Sequence, residues 1–520
     1  MKLIYGVKDR PAPGRLILFA LQQLLAILAA TITVPIVVNS TTGSDLSISA
    51  ALFGAGAGTL IYQLFTKFKS PVFLGSSFAF IGSMCAAFAG GVSASLGYLG
   101  LLIGAVFAGL VYVVIAVIVK FAGVKWIDKI MPAAVIGPTV ALIGLSLSGS
   151  AIQNVLTSGV FDAVYDSGTS SYVMGVNSGL CLVCALVTLA VTVICSVYGK
   201  KMLKMIPFII GILAGYAVAA IFTAFSYIPG AEAMRIIDFT IFQSMEWVPD
   251  FTFIEAFSGG YTAEGSSIGA YIGTIAVAYI PVAFVVFAEH LADHKNISSI
   301  IETDLLTDPG LSRTLLGDGV GSMVGAFFGG CPNTTYGESI GCVAISGNAS
   351  VITIFVTSLM AIVCAFIAPF ITFLASIPSC VMGGVCIALY GFIAVSGLKM
   401  IQKVDLEDNA NLFTVAAVLI PGVGGMALSF GKVTLTAIAC ALILGILTNL
   451  LVRVGRKNRT ESAAPETEAA ENVVADAAPA GEGASEDASA SGKETDAAEK
   501  QTAPDAESGA AGEGNDGKIS

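Results

Sequence analysis

The chain has 520 residues, of which 55% are hydrophobic and 12% charged, and carries a formal net charge of −11. An ordinary soluble globular domain, with about 25% charged residues, is excluded by that balance. The acidity is also confined: residues 460–520 hold 15 acidic and 3 basic side chains, whereas residues 1–459 hold 21 acidic and 22 basic ones, so the low pI says nothing about a basic partner of the body.

In chain order, residues 1–15 carry Lys8, Arg10, Pro11 and Pro13 ahead of the first apolar run. No small-residue cleavage pattern follows that run, so a cytoplasmic N-terminus is expected rather than a signal peptide. Fourteen apolar spans follow, at approximately 16–38, 46–66, 72–90, 97–120, 131–151, 173–198, 205–227, 268–290, 314–329, 333–347, 350–375, 377–397, 410–430 and 433–452. A helix needs about 20 residues to cross the hydrocarbon core. Most spans meet that length; the third, ninth and tenth are short and rich in Gly, Ser, Pro or Thr. Residues 228–267 read as an external loop. Residues 453–520, rich in Ala, Glu, Gly and Ser, bury too little apolar surface to offset chain entropy and read as a disordered, solvating acidic tail.

Positive charge tests the count. With a cytoplasmic N-terminus, alternate loops should hold the Lys and Arg. Twenty fall on that side, Lys67, Lys69, Lys120, Lys200, Lys204, Lys399, Lys403 and Arg453 among them, against Arg235 and Lys432 on the other. The expectation is an all-α polytopic protein of the inner (plasma) membrane with both termini cytoplasmic. Internal similarity adds to it. Met131-Pro132-Ala133-Ala134-Val135-Ile136-Gly137 resembles Ile377-Pro378-Ser379-Cys380-Val381-Met382-Gly383, and both this pair of prolines and the pair Pro35 and Pro281 are 246 residues apart. Seven spans per half is odd, so the halves are expected to be inverted repeats, a hallmark of secondary transporters.

The third and tenth spans hold corresponding places in the two halves. Both are interrupted: Pro71-Val72-Phe73-Leu74-Gly75-Ser76-Ser77-Phe78, and Pro332-Asn333-Thr334-Thr335-Tyr336-Gly337-Glu338. Unwound backbone within a membrane is tolerated only where it is buried or lines a cavity. Paired broken segments therefore point to a midplane binding site, with a packing kink as the plainer reading of either one alone. Intramembrane carboxylates are costly and usually functional. They cluster here: Glu289 and Asp293 share a helical face near the end of the eighth span, Asp318 lies in the ninth and Glu338 in the tenth. Hydropathy ends the eighth span near His290, which sets Glu289 at the cytoplasmic edge; a window over residues 281–301 sets it mid-membrane. His294 and Lys295 read as interfacial, and Asp318 as a helix cap or tether. His290 and His294 are the only histidines, so no His-based metal or catalytic site exists elsewhere. Cys181-x-x-Cys184 lies within an apolar run and reads as packing. No cofactor, metal or nucleic-acid partner is expected, and with no nucleophile–base set the chain is not read as an enzyme.

A flat base such as uracil, with two N–H donors and two C=O acceptors, suits this set. Carboxylates accept from its N–H groups, amides at a half-helix start donate to its C=O groups, and Phe78 or Tyr336 packs on the ring face. The motifs Phe287-Ala288-Glu289-His290, Asp308-Pro309-Gly310-Leu311-Ser312-Arg313 and Pro332-Asn333-Thr334-Thr335-Tyr336-Gly337-Glu338-Ser339-Ile340-Gly341 resemble those of the nucleobase–ascorbate transporter (nucleobase:cation symporter-2) family over roughly residues 5–455. That resemblance implies two inverted sevens with short strands in spans 3 and 10. It implies a core domain (residues 16–120 and 268–375) and a gate domain (131–227 and 377–452). It implies uptake of uracil by proton symport, or of a purine such as xanthine or urate as the alternative, in a protein that is often a dimer in the lipid bilayer. By motif, Glu289 and Glu338 would hydrogen-bond the base, Gly337 and Phe78 would add backbone contacts, and Ala30 would line the pocket. Glu289, Asp293 and Glu338 are the candidates for proton coupling. The chain departs from the family pattern at Ser339, where Asn is usual, at Gly347, where a basic residue is usual, and at Asp293 and Gln23, where uracil-transporting members often have histidine.

Overall fold

The computed structural model describes residues 3–123, 126–158, 160, 165–166, 171–200, 202–263, 267–430 and 433–453; the expected acidic tail beyond Arg453 lies outside them. Among the described residues, eight helices are long and apolar enough to cross a membrane. They number nine when Val351–Cys364 and Ala368–Ala375, bent by 84°, count as one span. The protein is a mostly helical, polytopic membrane-type chain.

Helix α1 (Pro13–Thr42) starts on a proline, whose missing N–H costs nothing in a first turn, and stops at Gly43, whose left-handed φ of 69° lets its N–H reach Asn39 O at 2.9 Å. Helix α2 (Ile48–Phe65) is capped by the Ser47 hydroxyl. The third apolar stretch does not form a continuous helix. It becomes strand β1 (Leu74–Ser76), a 3-10 turn at Phe78–Phe80 and a seven-residue helix α3 (Ile81–Ala87). Then come α4 (Ala94–Ala122), α5 (Ala133–Ser146), α6 (Ser148–Val155), α7 (Val176–Tyr198) and α8 (Pro207–Phe225).

Helix α9 runs 34 residues, from Ile268 to Ile301, with Pro281 inside it. It continues well past His290, where hydropathy alone would end the span. Beyond it Leu291, His294, Ile297 and Ile301 are buried while Lys295, Asn296 and Ser299 are exposed, and the one helix covers both windows. Glu289 lies twelve residues from its end, about 18 Å at 1.5 Å per residue. Helix α10 (Leu311–Gly329) leads to strand β2 (Asn333–Thr335) and half-helix α11 (Gly337–Ser346). The bent pair forms α12 (Val351–Cys364) and α13 (Ala368–Ala375), followed by α14 (Ser379–Ile401), α15 (Asn409–Val423) and α16 (Ala437–Arg453).

Two sets of helices pack among themselves. In one, α10 packs on α2 and α4, α12 on α1 and α2, and α9 on α4. Gly58 permits the α2–α10 approach: a Cβ there would sit 2.6 Å from Gly321 O. In the other, α14 packs on α5 and α7, α8 on α7, and α15 on α5. The buried core includes Ile27, Phe73, Phe80, Tyr112, Tyr279 and Val286. Val114, Leu186, Ile194 and Ile221 point outward, as a chain solvated by lipid allows.

Candidate functional site

The two interrupted segments meet. Strands β1 and β2 pair antiparallel, Leu74 opposite Thr335, Gly75 opposite Thr334 and Ser76 opposite Asn333. The pairing extends at both ends, Tyr336 N–H donating to Phe73 O at 3.2 Å and Ser77 N–H to Pro332 O at 2.9 Å. Neighbouring helices satisfy what the short ladder leaves over. The Thr59 hydroxyl accepts from Leu74 N–H at 2.9 Å, and the Asn333 amide donates to Gly54 O at 3.1 Å. Irregular backbone is thus buried within protein, as the membrane interior demands.

Side chains alternate along β2. Thr335 turns toward α9, and its hydroxyl donates to the Asp293 carboxylate at 2.7 Å. Just beyond the strand, Gly337 and Glu338 open α11, whose first N–H groups lack helical partners. Glu289 and Asp293, four residues apart on α9, face the same space. Glu289, Asp293, Gly337 and Glu338 line one cavity of ≈ 370 Å³ together with Ala26 of α1. Its other wall is largely apolar: Val140 of α5, Phe208 of α8, and Leu389 and Ile393 of α14. Lys204 is the basic member of the lining.

Three of the expected contacts lie outside this lining. Ala30 is fully buried in α1. Phe78 is 8% exposed and edges onto Tyr390, with ring centroids 5.7 Å apart. The Tyr336 ring packs against Gly75, and its hydroxyl donates to Ser76 O at 2.8 Å, which commits it to the strand crossing.

The interfacial reading of His294 is corrected. It is fully buried. Its Nδ1 donates to His290 O at 2.8 Å, because a carbonyl only accepts. In the neutral ring Nε2 therefore accepts from the Tyr62 hydroxyl at 2.7 Å, which in turn accepts from Ser70. Asp318 is likewise no mere helix cap. It is fully buried, with Oδ2 at 2.7 Å from His290 Nδ1, and His290 Nε2 lies 3.0 Å from the Thr314 hydroxyl. Since Thr314 donates to Leu311 O, Nε2 is the donor to Thr314, and one proton is shared along the Nδ1–Oδ2 contact. Hydropathy hid both histidines because it scores side chains without their partners.

Gln23 also gains a partner the sequence did not announce. Its amide donates to Ser339 O at 3.2 Å and to Ser339 Oγ at 2.5 Å. The same hydroxyl accepts from Phe73 N–H at 3.1 Å, so Ser339 joins α1, α11 and the approach to β1. Cys181 and Cys184 are buried and free, as packing residues. Among the described residues, no group of three or more His, Cys, Asp or Glu is arranged to hold a metal ion. Two larger cavities, of ≈ 480 and ≈ 500 Å³, lie by the C-terminal end of α1 and are lined by loop residues such as Ile241 and Ser244. Asp250, in the second, has its carboxyl raised by burial and then by Glu255, Glu246 and Asp45. They contain none of the paired carboxylates.

A multi-span body with crossed, interrupted segments and a carboxylate-lined cavity between helix sets defines a membrane transporter. Solved structures share the fold. The transmembrane domain of the cyanobacterial bicarbonate transporter BicA matches with a TM-score of 0.53 at 15% identity, over 85% of this chain and 98% of that one. The murine Solute Carrier 26 family member A9 anion transporter matches with a TM-score of 0.57 at 13% identity, over 86% and 69%. The family follows from sequence. The Permease family model Xan_ur_permease matches residues 14–430. Uracil permeases of Bacillus caldolyticus, Bacillus subtilis and Escherichia coli are 37%, 35% and 34% identical, covering 89%, 89% and 86% of this chain and 97%, 98% and 94% of theirs. The chain belongs to this permease family, nucleobase:cation symporter-2.

Proposed function

We propose that the protein imports uracil across the plasma membrane by proton symport. The observation that carries this reading is the convergence of Glu289, Asp293, Gly337 and Glu338 on one cavity beside the crossed strands. Glu289 and Glu338 accept from the base N–H groups, and the amide at Gly337 donates to a base C=O. Uracil permeases among the relatives support the choice of base. Ala30 and Phe78, buried outside the lining, close in on the base as the cavity contracts, and Tyr336 supports the site by holding the strand crossing.

The chain is read as fourteen segments in two inverted sevens, with both termini cytoplasmic. The core domain is residues 16–120 and 268–375, the gate domain 131–227 and 377–452. The division of cavity walls favours this arrangement: the carboxylates come from α9 and α11, the apolar wall from α5, α8 and α14. Rocking one set against the other alternates access. The proton is carried by the acidic set Glu289, Asp293 and Glu338, in which like charges in a dry site oppose simultaneous ionisation. A homodimer in the bilayer is the proposed assembly.

Uptake of radiolabelled uracil into cells lacking their own permease tests the reading. Saturable uptake that collapses with a proton uncoupler is expected. Absence of saturable uptake, or full uptake by Glu289→Ala, would overturn it. Competition by unlabelled xanthine but not by uracil would move the assignment to a purine permease.

A further inference from the structure

The residues ahead of α1 are not a loose leader. Gly347 ends α11 with a left-handed φ of 67°, its N–H bonded to Val343 O at 3.0 Å. Its carbonyl then accepts from Ile4 N–H at 2.7 Å and Tyr5 N–H at 3.2 Å. Ala349 N–H donates back to Tyr5 O at 2.9 Å, Val351 N–H to Val7 O at 3.1 Å, and the Ser350 hydroxyl to Asp9 O at 2.6 Å. Residues 4–9 thus run along the connection between α11 and α12, Tyr5 bridging Asn348 in parallel. Leu3 and Val7 pack on the cluster that contains Ile340 and Val343 of α11 together with Val72 and Leu74 at the start of β1. The segment is itself held. Asp9 closes a turn by accepting from Gly6 N–H at 2.7 Å, and Arg15 donates to the Tyr5 hydroxyl at 3.2 Å.

We infer that Leu3–Asp9 is a clamp that positions the Glu338 half-helix. A ten-residue helix is marginal alone, so the groups at its ends decide where it points. The strand crossing holds the N-terminal end of α11, at the cavity. The clamp holds the C-terminal end, nine residues beyond Glu338, about 13 Å away. Gln23 fixes the first turn through Ser339, next to Glu338. The clamp touches no substrate; Ile4 and Val7 are positioning residues that act through α11. A small tilt of the helix displaces the Glu338 carboxylate, and misplacing a binding group by about 1 Å is enough to cost one to two orders of magnitude.

The inference rests on the transport reading for its consequence but not for its mechanical part, and two readouts separate them. Amide hydrogen exchange across residues 337–346 is measured on purified full-length protein without substrate. Uracil KM and Vmax are measured in cells at matched membrane abundance. Val7→Asp, which puts a charge into the apolar contact, and Ile4→Pro, which removes the N–H donor, are both expected to speed α11 exchange by about tenfold or more. They are also expected to raise KM by about tenfold, with Vmax within about twofold. Val7→Ile and Ile4→Val should match wild type. Where Val7→Asp does not reach the membrane, Ile4→Pro carries the test, since the Ile4 side chain is already 63% exposed. Unchanged exchange and KM in the variant that does reach the membrane, or a fall in abundance with KM unmoved, would overturn the clamp. Wild type that takes up no uracil would overturn the transport reading alone, and the exchange comparison would still decide for or against the clamp.

Discussion

The Thr335 hydroxyl donates to the Asp293 carboxylate at 2.7 Å, joining strand β2 to helix α9 at a residue that lines the cavity. The bond fixes helix α9, which presents Glu289, against the strand that leads into the Glu338 half-helix. Removing the donor leaves a part-buried carboxyl oxygen without its partner, at about 1–3 kcal/mol. Thr335→Val, which keeps the shape, should lower Vmax/KM for uracil by roughly tenfold or more, and Thr335→Ser should restore it. Initial-rate uptake measures both.

Replacing either carboxylate of the pair by its amide turns one acceptor into a donor facing the base N–H. Glu289→Gln and Glu338→Gln should each reduce uptake by roughly tenfold to a hundredfold while leaving protein in the membrane unchanged. Near-wild-type uptake by either variant would remove that side chain from the site.

Gln23 ties α1 to α11 through Ser339. Gln23→Leu loses this link and should destabilise the protein by about 1 kcal/mol, read as a lower unfolding temperature in detergent. Gln23→His keeps a donor at the same place and should retain most of the stability.

His290 and Asp318 form a fully buried pair. Cutting one member strands the other, so His290→Leu or Asp318→Leu should each cost about 3–5 kcal/mol. The double variant should cost less than the sum of the two, as coupling requires. Chemical unfolding of the purified proteins closes the cycle; additive losses would mean that the contact carries no energy.

Gly58 lets α2 approach α10. A Cβ there would sit 2.6 Å from Gly321 O and 2.5 Å from Asn333 Nδ2. Gly58→Val should force the helices apart and disturb the residue that anchors β2, at about 1–3 kcal/mol or more. Fluorescence-detected size-exclusion profiles should show loss of the monodisperse peak.

Apolar run length, the Lys and Arg asymmetry and the motifs around Glu289 and Glu338 were readable from the chain because each is a local property. They establish a many-span membrane protein of this family, and they mark the two interrupted segments as the place to look. Partner choice was not readable. Thr335 meets Asp293 across 42 residues, His290 meets Asp318 across 28 and Gln23 meets Ser339 across 316, and neither hydropathy nor periodicity encodes such distances. The same blindness made His294 look interfacial. Only the packed structure decides these points. A polar side chain within a membrane costs free energy until a partner satisfies it, and whether one does depends on which elements the fold brings alongside.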